Sequence, residues 1–215
     1  MTAPVTMFGA ALRRAARGDG ASLTLLDRRG ARMREFDART WSADRRAGDE
    51  SLVDRCRPYT IDLGCGPGRL AAALATAGRP VLGVDISPQA VRYTRRRGVP
   101  ALLADALGPL PGEGRWQSAL LADGNIGIGG DPVRLLRRTR RLLEPGGRLL
   151  AEVDPPGHRC WRGDVALSDG HTVSDVFAWA FVGADQIADI AAEAGLRVLE
   201  HWTEAGRWFG TLTPR

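Results

Sequence analysis

The sequence YTIDLGCGPGR at positions 59–69 decides the fold of this chain. Its first five residues form a short apolar run that predicts a β-strand, and the glycines that follow predict a tight turn. A helix is expected to begin near Arg69. The N-terminus of a helix presents free N–H groups and a positive dipole end. Strand, turn and helix together therefore predict a cradle for a nucleotide-like ligand.

The spacing of glycines and the position of an acid narrow the choice of ligand. A dinucleotide-binding fingerprint reads G-x-G-x-x-G, whereas Gly64, Gly66 and Gly68 are each two residues apart. Asp62, at the predicted strand end, would repel a pyrophosphate and would suit a ligand with an ammonium or sulfonium charge. Both observations argue against a nicotinamide-dependent oxidoreductase. Cys65 fits the turn as a small side chain, and a reactive thiol there is the less favoured alternative.

The order Asp62, Gly64, Gly66 and Gly68 resembles the first motif of the class I S-adenosylmethionine-dependent methyltransferases. The resemblance covers residues 59–154 and includes the turn Pro-Gly-Gly at 145–147. It implies a doubly wound, mostly parallel seven-stranded sheet with helices on both faces, a Rossmann-like methyltransferase fold. The alternation of predicted strands and helices from residue 59 onward independently favours such a sheet.

The second and third predicted strands also end in acids. Asp85 stands 23 residues after Asp62, where a carboxylate can accept both hydroxyls of a ribose. The resemblance implies that Asp85 holds the ribose and that Ile86 packs on the adenine. It also places Asp105 and Ala106 against the adenine amino group and ring. A helix cap at Asp85 and a plain loop aspartate at Asp105 are the structural alternatives.

A glycine-rich loop follows the fourth predicted strand, where methyl donor and acceptor meet in this family. Asp123 is expected to face the amino acid end of the cofactor or to orient the acceptor as a tentative catalytic group. Asn125 can offer both a donor and an acceptor to a substrate. The loop lacks the Pro-Pro-aromatic motif of enzymes that methylate exocyclic amines of bases, and Asp154-Pro155-Pro156 is interpreted as a chain-turning segment.

Candidate acceptor residues come from segments outside the family pattern. His158 follows the fifth strand and is a candidate base, since its side chain titrates near neutrality when unperturbed. Trp161 and Trp179 are tentative substrate contacts, with core packing as their alternative. The other aromatic residues of interest are Trp41, Phe181 and Trp208. A dedicated base is not required, because positioning alone supplies about 7–11 kcal/mol of the barrier.

Outside residues 59–154 the sequence predicts two appended pieces. Residues 1–56 are expected to form a cap of helices and a β-hairpin packed on the main domain, with Thr6 as an N-cap. The second piece is an extra hairpin at about 158–182. It is expected to lie within the methyltransferase domain, residues 57–215. The last segments supply the closing antiparallel strands.

Composition limits the classes of partner. The chain has 215 residues, 44% hydrophobic residues and a formal net charge of +5, and all 30 basic residues are arginines. The arginines are mixed with 25 acids, which argues against a nucleic-acid surface. No apolar run has the length of a membrane helix, no signal peptide is recognised, and the three cysteines lack metal-ligand spacing. We expect a cytoplasmic protein without a metal, as a monomer or homodimer.

The leading interpretation is S-adenosylmethionine-dependent methyl transfer to an oxygen, nitrogen or carbon atom of a small molecule. The basic balance and an arginine face at positions 134–141 keep an RNA or protein methyltransferase open. The absence of an evident base keeps open a protein that binds the cofactor without transferring its methyl group.

Overall fold

The computed structural model describes residues 2–158 and 160–215. Their helices are α1 (Pro4–Ala15), α2 (Ala38–Ser42), α3 (Asp49–Arg55), α4 (Arg69–Thr76), α5 (Pro88–Arg96), α6 (Pro132–Leu142) and α7 (Ile187–Glu193). The strands are β1 (Ser22–Asp27), β2 (Arg32–Asp37), β3 (Thr60–Leu63), β4 (Val81–Asp85), β5 (Ala101–Leu103), β6 (Trp116–Leu121), β7 (Leu143–Val153), β8 (Trp161–Ser168), β9 (Phe177–Phe181), β10 (Leu196–Glu204) and β11 (Arg207–Pro214). A 3-10 turn covers Asn125–Gly130.

Seven strands form the main sheet in the order β10-β11-β7-β6-β3-β4-β5. Strands β3 to β7 are parallel, and β11 pairs antiparallel with β7 and with β10. The strand order reverses between β3 and β6, so the crevice for a ligand opens above the carboxyl ends of these two strands. The predicted doubly wound, mostly parallel seven-stranded sheet is confirmed.

Helices cover both faces of this sheet because alternate residues of its strands point to opposite sides. On β6, Leu121 packs in the cluster that includes Leu136 of α6. The neighbouring Leu120 packs in the other cluster, which includes Leu74 of α4 and Phe209 of β11. All five side chains are fully buried. Strand β6, the neighbour of β3 and of the glycine turn that follows it, is therefore packed from both sides.

A second, four-stranded antiparallel sheet has the order β2-β1-β8-β9. Strand β1 pairs with β8 from Thr24↔Ser168 to Asp27↔Val165, which joins the N-terminal segment to the hairpin near the C-terminus. Leu12 of α1 and Leu23 of β1 lie in the core under this sheet. The two appended pieces thus form one structure, which we call the cap sheet.

Two details near the N-terminus differ from the expectations. Helix α1 begins at Pro4 with Ala3 at the N-cap, so Thr6 lies inside the helix. Proline has the backbone angle of a first helical residue and lacks the N–H that would stay unpaired there, and it starts the helix three residues earlier than a cap at Thr6 would. The short helix α2 was not anticipated; Asp37 caps it by accepting a hydrogen bond from the amide of Arg39 at 2.9 Å.

Candidate functional site

The glycine turn between β3 and α4 is held by backbone bonds from its first two residues. The amides of Gly64 and Cys65 both donate to the carbonyl of Val84, at 2.8 and 3.0 Å. All three glycines of the turn have positive φ angles, of 75°, 54° and 87°. A residue with a Cβ is strained in this region, so the turn favours glycine at each position.

The three glycines differ in what surrounds them. A Cβ on Gly64 would lie 2.7 Å from the side-chain amide nitrogen of Asn125. A Cβ on Gly68 would lie 2.8 Å from the side chain of Thr94. A Cβ on Gly66 would meet no atom within 4 Å. Gly64 and Gly68 therefore permit close packing within the protein, while Gly66 leaves open space for a ligand to approach the backbone.

Asp85 ends β4 beside this open space. Its two carboxylate oxygens accept hydrogen bonds from the amides of Gly66 and Ser87, at 2.9 and 2.7 Å. Burial raises the pKa of Asp85, and these backbone bonds partly oppose the shift. The adjacent Ile86 is 64% exposed, an unusual state for a large apolar side chain next to a buried acid. A hydrogen-bond acceptor and an apolar surface thus stand side by side.

Asp62 lies on β3 and is almost fully buried. No hydrogen bond to its carboxylate occurs among residues 2–158 and 160–215. Burial raises its pKa to about 7; the negative charge of Asp123 adds to the shift and Arg69 opposes it. A cation placed next to Asp62 would stabilise its ionised form, and the carboxylate therefore fits the positively charged end of a ligand.

The remaining cofactor candidates lie at the end of β5 and in the turn. Asp105 is exposed and accepts a hydrogen bond from the amide of Leu107 at 2.9 Å, and Ala106 is buried. Cys65 is buried, with its sulfur 3.6 Å from the Thr94 hydroxyl. Burial and the nearby acids Asp62 and Asp85 raise the pKa of the Cys65 thiol. The thiol stays protonated and is a poor nucleophile.

Asp123 follows β6 with a left-handed backbone, at φ 54°. Its carboxylate accepts hydrogen bonds from Arg46 at 2.7 Å and from Arg69 at 2.5 Å, and its amide donates to Glu152 at 2.6 Å. Two guanidinium groups thus bind this carboxylate, one at each oxygen. The structure therefore places Asp123 in an ion-pair network.

That network consists of six charged residues. Three arginines alternate with three acids, and we call the group the ion cluster: Arg46, Asp49, Arg69, Asp123, Glu152 and Arg207. The members come from the loop before α3, from α3 and α4, and from the ends of β6, β7 and β11. The ion cluster ties the loop before α3 and the start of α3 to the main sheet.

Arg207 is the most connected member of the ion cluster. Its guanidinium donates to both oxygens of Glu152 at 3.0 and 2.8 Å and to Asp49 at 2.9 Å. Burial tends to raise the pKa values of both acids. The charged hydrogen bonds from the arginines outweigh burial and hold both values below their usual range. Both acids stay ionised, and the cluster is electrically balanced.

A cavity of about 280 Å³ lies between the cap sheet and the carboxyl ends of β6 and β7. Its wall includes Asp123 and Gly124, so it adjoins the end of the strand next to the glycine turn. Aromatic side chains line another part of it: Phe36, Trp41, Phe181 and Trp208. Three arginines and four acids complete the charged lining: Arg34, Arg46, Arg207, Glu35, Asp123, Glu152 and Asp154.

Only some of the residues that the sequence suggested for acceptor binding line this cavity. Trp41, Phe181 and Trp208 line the cavity, whereas His158 is exposed and is not among the lining residues. Trp161 and Trp179 belong to the hydrophobic cluster of the cap sheet.

Trp179 and Asn125 both hold the turn at Asn125–Gly130. A Cβ on Gly127 would lie 2.7 Å from the Trp179 indole nitrogen, which shows how closely the ring covers the turn. The side-chain amide of Asn125 donates to the carbonyls of Leu63 and Gly64, at 3.1 and 2.8 Å. The amide group that was expected to bind a substrate thus fixes this turn to the glycine turn.

The sequence interpretation missed the charged lining. Arg34 and Asp154 both line the cavity and form an ion pair at 2.8 Å, although they are 120 positions apart in the chain. Asp154 follows β7 at the carboxyl edge of the sheet, and this position was a signal that could have drawn attention to it. No comparable signal marks Arg34 or Arg46. Among the described residues, no three His, Cys, Asp or Glu side chains are placed to hold a metal ion.

Residues 61–147 match the family model described as a methyltransferase domain. The matched region runs from β3 into β7 and contains the glycine turn, Asp85, Asp105 and Asp123. The cap sheet lies outside it.

Two solved structures share the fold. The first is a methyltransferase from Bacteroides fragilis in complex with S-adenosyl-L-homocysteine, with a TM-score of 0.80 and 20% identity, covering 100% of this chain and 97% of that one. The second is the 1,6-didemethyltoxoflavin-N1-methyltransferase of Burkholderia thailandensis, bound to 1,6-didemethyltoxoflavin and S-adenosylhomocysteine. It has a TM-score of 0.54 and 20% identity and covers 74% of this chain and 72% of that one.

A curated relative is the tabtoxin biosynthesis enzyme of Pseudomonas amygdali pv. tabaci, 32% identical over 147 residues. The match covers 66% of this chain and 56% of the relative. The chain spans about half the length of the curated relatives it matches.

Proposed function

We propose that this chain is a class I S-adenosylmethionine-dependent methyltransferase and that it transfers a methyl group from S-adenosylmethionine to a small-molecule acceptor. The accepting atom is oxygen, nitrogen or carbon. The observation that carries the proposal is the position of the polar cavity. It lies at the end of β6, beside a glycine turn whose central residue, Gly66, is open to a ligand.

The residues around the glycine turn fit the parts of the cofactor. Asp85 would accept the ribose hydroxyls, since each carboxylate oxygen has a second lone pair beyond its bond to a backbone amide. The exposed Ile86 would pack on the adenine, with Asp105 and Ala106 at its far edge. Asp62 would attract the positively charged end. S-adenosylmethionine supplies a methyl group that its cationic sulfur has already activated.

The protein's contribution to catalysis is chiefly to position the acceptor. Arg46 and Arg69 each bind one oxygen of the Asp123 carboxylate, while His158 lies outside the cavity lining. Holding two reactants in line accounts for about 7–11 kcal/mol of barrier lowering without a base. We therefore propose that an acceptor with its own acidic or nucleophilic atom reacts here, and that Asp123 orients arginines rather than taking a proton.

A cavity of about 280 Å³ favours a small acceptor over a polymer. The relatives are consistent with this size class: one is named as an enzyme of tabtoxin biosynthesis, and one structure contains bound 1,6-didemethyltoxoflavin. The described residues include no helix with the length and apolar character needed to cross a membrane.

The test begins with cofactor binding. Titration calorimetry of the purified protein is expected to give one site per chain for S-adenosylmethionine and for S-adenosylhomocysteine, and none for NAD. Incubation of the protein with methyl-deuterated cofactor and a library of small molecules should then transfer the label to an acceptor, which mass spectrometry detects. Failure to bind either adenosyl compound would refute the proposal.

A further inference from the structure

The carboxylates around the cavity already have cationic partners. Asp154 accepts hydrogen bonds from Arg34 through both of its oxygens, at 2.9 and 2.8 Å. Glu152 is bound through both oxygens by Arg207, and Asp123 by Arg46 and Arg69.

Glu35 lies at the open side and pairs with Arg32 at 2.9 Å, with the Glu35 side chain 64% exposed. A cationic group entering the cavity would meet carboxylates whose negative charge an arginine already offsets.

Two arginines, in contrast, retain unused donors. A guanidinium group carries five N–H bonds. Among the described residues, the Arg34 side chain uses only Nη2, for Asp154, and the Arg46 side chain uses only Nη1, for Asp123. Their side chains are 31% and 35% exposed and both line the cavity. The unpaired N–H groups are therefore accessible to a ligand.

The fold also fixes the orientation of one of these donors. The Arg34 guanidinium lies over the Phe181 ring at 4.1 Å from its centre, while Asp154 holds Nη2 from the side. A cation–π contact and an ion pair together restrict the plane of the group. Arg34 is thus a preorganised cationic donor, whose unused Nε and Nη1 groups suit an anion.

The apolar part of the lining favours a flat molecule. Trp41 packs against Phe36, with ring centres 5.5 Å apart, and Trp208 completes the aromatic wall. Aromatic side chains stack on planar rings and contribute about 0.5–1.5 kcal/mol for each pair beyond the area they bury.

From these contacts we propose that the acceptor is a planar, ring-containing molecule with an anionic group, and that Arg34 and Arg46 bind this anion. The inference deepens the proposed function, on which it rests for the identity of the bound molecule as the methyl acceptor. The residues determine which acceptor binds and how it is oriented; they take no part in the transfer of the methyl group.

The test compares ligands that differ only in charge. Naphthoate, naphthamide and naphthylmethylamine share one ring system and carry a negative, a neutral and a positive substituent. Their affinities for the wild-type protein are measured by titration calorimetry, with and without saturating S-adenosylhomocysteine. We expect naphthoate to bind at least about tenfold more tightly than either analogue, the ratio for one charge-assisted hydrogen bond. Equal binding of all three, tighter binding of the amine, or no binding of naphthoate would overturn the proposal.

Variants locate the anion. Arg34→Gln and Arg46→Gln should each lower the affinity for naphthoate about tenfold or more and leave the affinity for naphthamide unchanged. Arg45→Gln is the matched control, since Arg45 adjoins Arg46 but is 85% exposed and bonded to Glu50. Naphthoate binding that is insensitive to both cavity variants, or equally sensitive to the control, would contradict the assignment. The wild-type ligand series needs no variant, so a folding defect cannot hide the answer.

The two proposals fail separately. A protein that binds no adenosyl compound refutes the methyltransferase function, whatever the naphthoate result. A protein that binds S-adenosylhomocysteine normally but shows no preference for the anion refutes only the class of acceptor.

Discussion

The amide of Gly66 donates a hydrogen bond of 2.9 Å to the carboxylate of Asp85, and this contact joins the glycine turn to the end of β4. The second oxygen of Asp85 accepts from Ser87, the N-cap residue of α5. One buried carboxylate therefore organises the turn after β3 and the helix after β4. The helix-cap and ribose-binding interpretations of Asp85 are compatible, because the same group that orders the turn borders the open space at Gly66.

Substitution of Gly66 by alanine tests this open space. Gly66 and Gly114 have φ angles of 54° and 73°, and a Cβ on either would meet no atom within 4 Å. Both Gly66→Ala and Gly114→Ala should lower the free energy of unfolding by about 1–2 kcal/mol, the cost of a left-handed residue with a Cβ.

Only Gly66→Ala should weaken S-adenosylhomocysteine binding. A methyl group in ligand space costs about 1–3 kcal/mol, roughly tenfold to a hundredfold in affinity by calorimetry. Equal affinities of the two variants would place the cofactor elsewhere.

Asp62 should make stability depend on pH in an uncommon direction. Its folded-state pKa of about 7 lies above the unfolded value of 3.8, so the folded protein binds the proton more tightly. The resulting stabilisation is complete below pH 3.8 and is lost as the pH rises through about 7. By this linkage the ionised Asp62 costs up to about 4 kcal/mol at higher pH. Asp62→Asn should therefore raise the denaturant midpoint at alkaline pH more than at acid pH.

Asp62→Asn should also weaken the binding of the cofactor. A cationic ligand needs the ionised carboxylate, so wild-type affinity should increase as the pH rises through about 7 while Asp62→Asn removes that dependence. Calorimetry across this range gives both curves. A wild-type affinity that is flat with pH would show that Asp62 does not face the cationic end.

The ion cluster predicts a large cost for losing Arg207. Arg207→Leu removes the main partner of Glu152 and one of the two arginine partners of Asp49 in a buried site, and unfolding should become easier by about 3–5 kcal/mol. Arg197→Leu, on the exposed side of β10, is the control and should change stability by less than about 0.5 kcal/mol. Urea denaturation measures both. A change below about 1 kcal/mol for Arg207→Leu would mean that the acids find other partners.

The cap sheet should unfold as one unit. Because β1 pairs with β8, the amides of both strands should have similar protection in hydrogen exchange. Leu23 is 1% exposed in the core of the cap, so Leu23→Ala should accelerate exchange in β8 and β9 as well as in β1 and β2. Mass spectrometry of peptic fragments resolves the four strands. Faster exchange confined to β1 and β2 would indicate two independent hairpins.

Much of the main sheet could be predicted because its signals are local. The strand at 59–63, the glycine turn and the helix after it lie within twenty residues, and alternation of apolar strands with capped helices marks a parallel sheet. The bonds from Asn125 to the carbonyls of Leu63 and Gly64, and the contact of Trp179 with the turn at Asn125–Gly130, could not be predicted. A side chain's donors and ring faces are known from the sequence, but the backbone groups that use them are not.

The sequence by itself determined the fold family and the place of the ligand crevice, since strand order and turn chemistry follow from short-range patterns and general rules of chirality. Only the tertiary structure decided the character of the cavity between the cap sheet and the main sheet. The pairing of β1 with β8 joins segments about 140 positions apart, and the bond between Arg34 and Asp154 spans 120. Such contacts depend on which surfaces are left uncovered after the main sheet has formed. They are therefore a property of the assembled chain and of no single stretch within it.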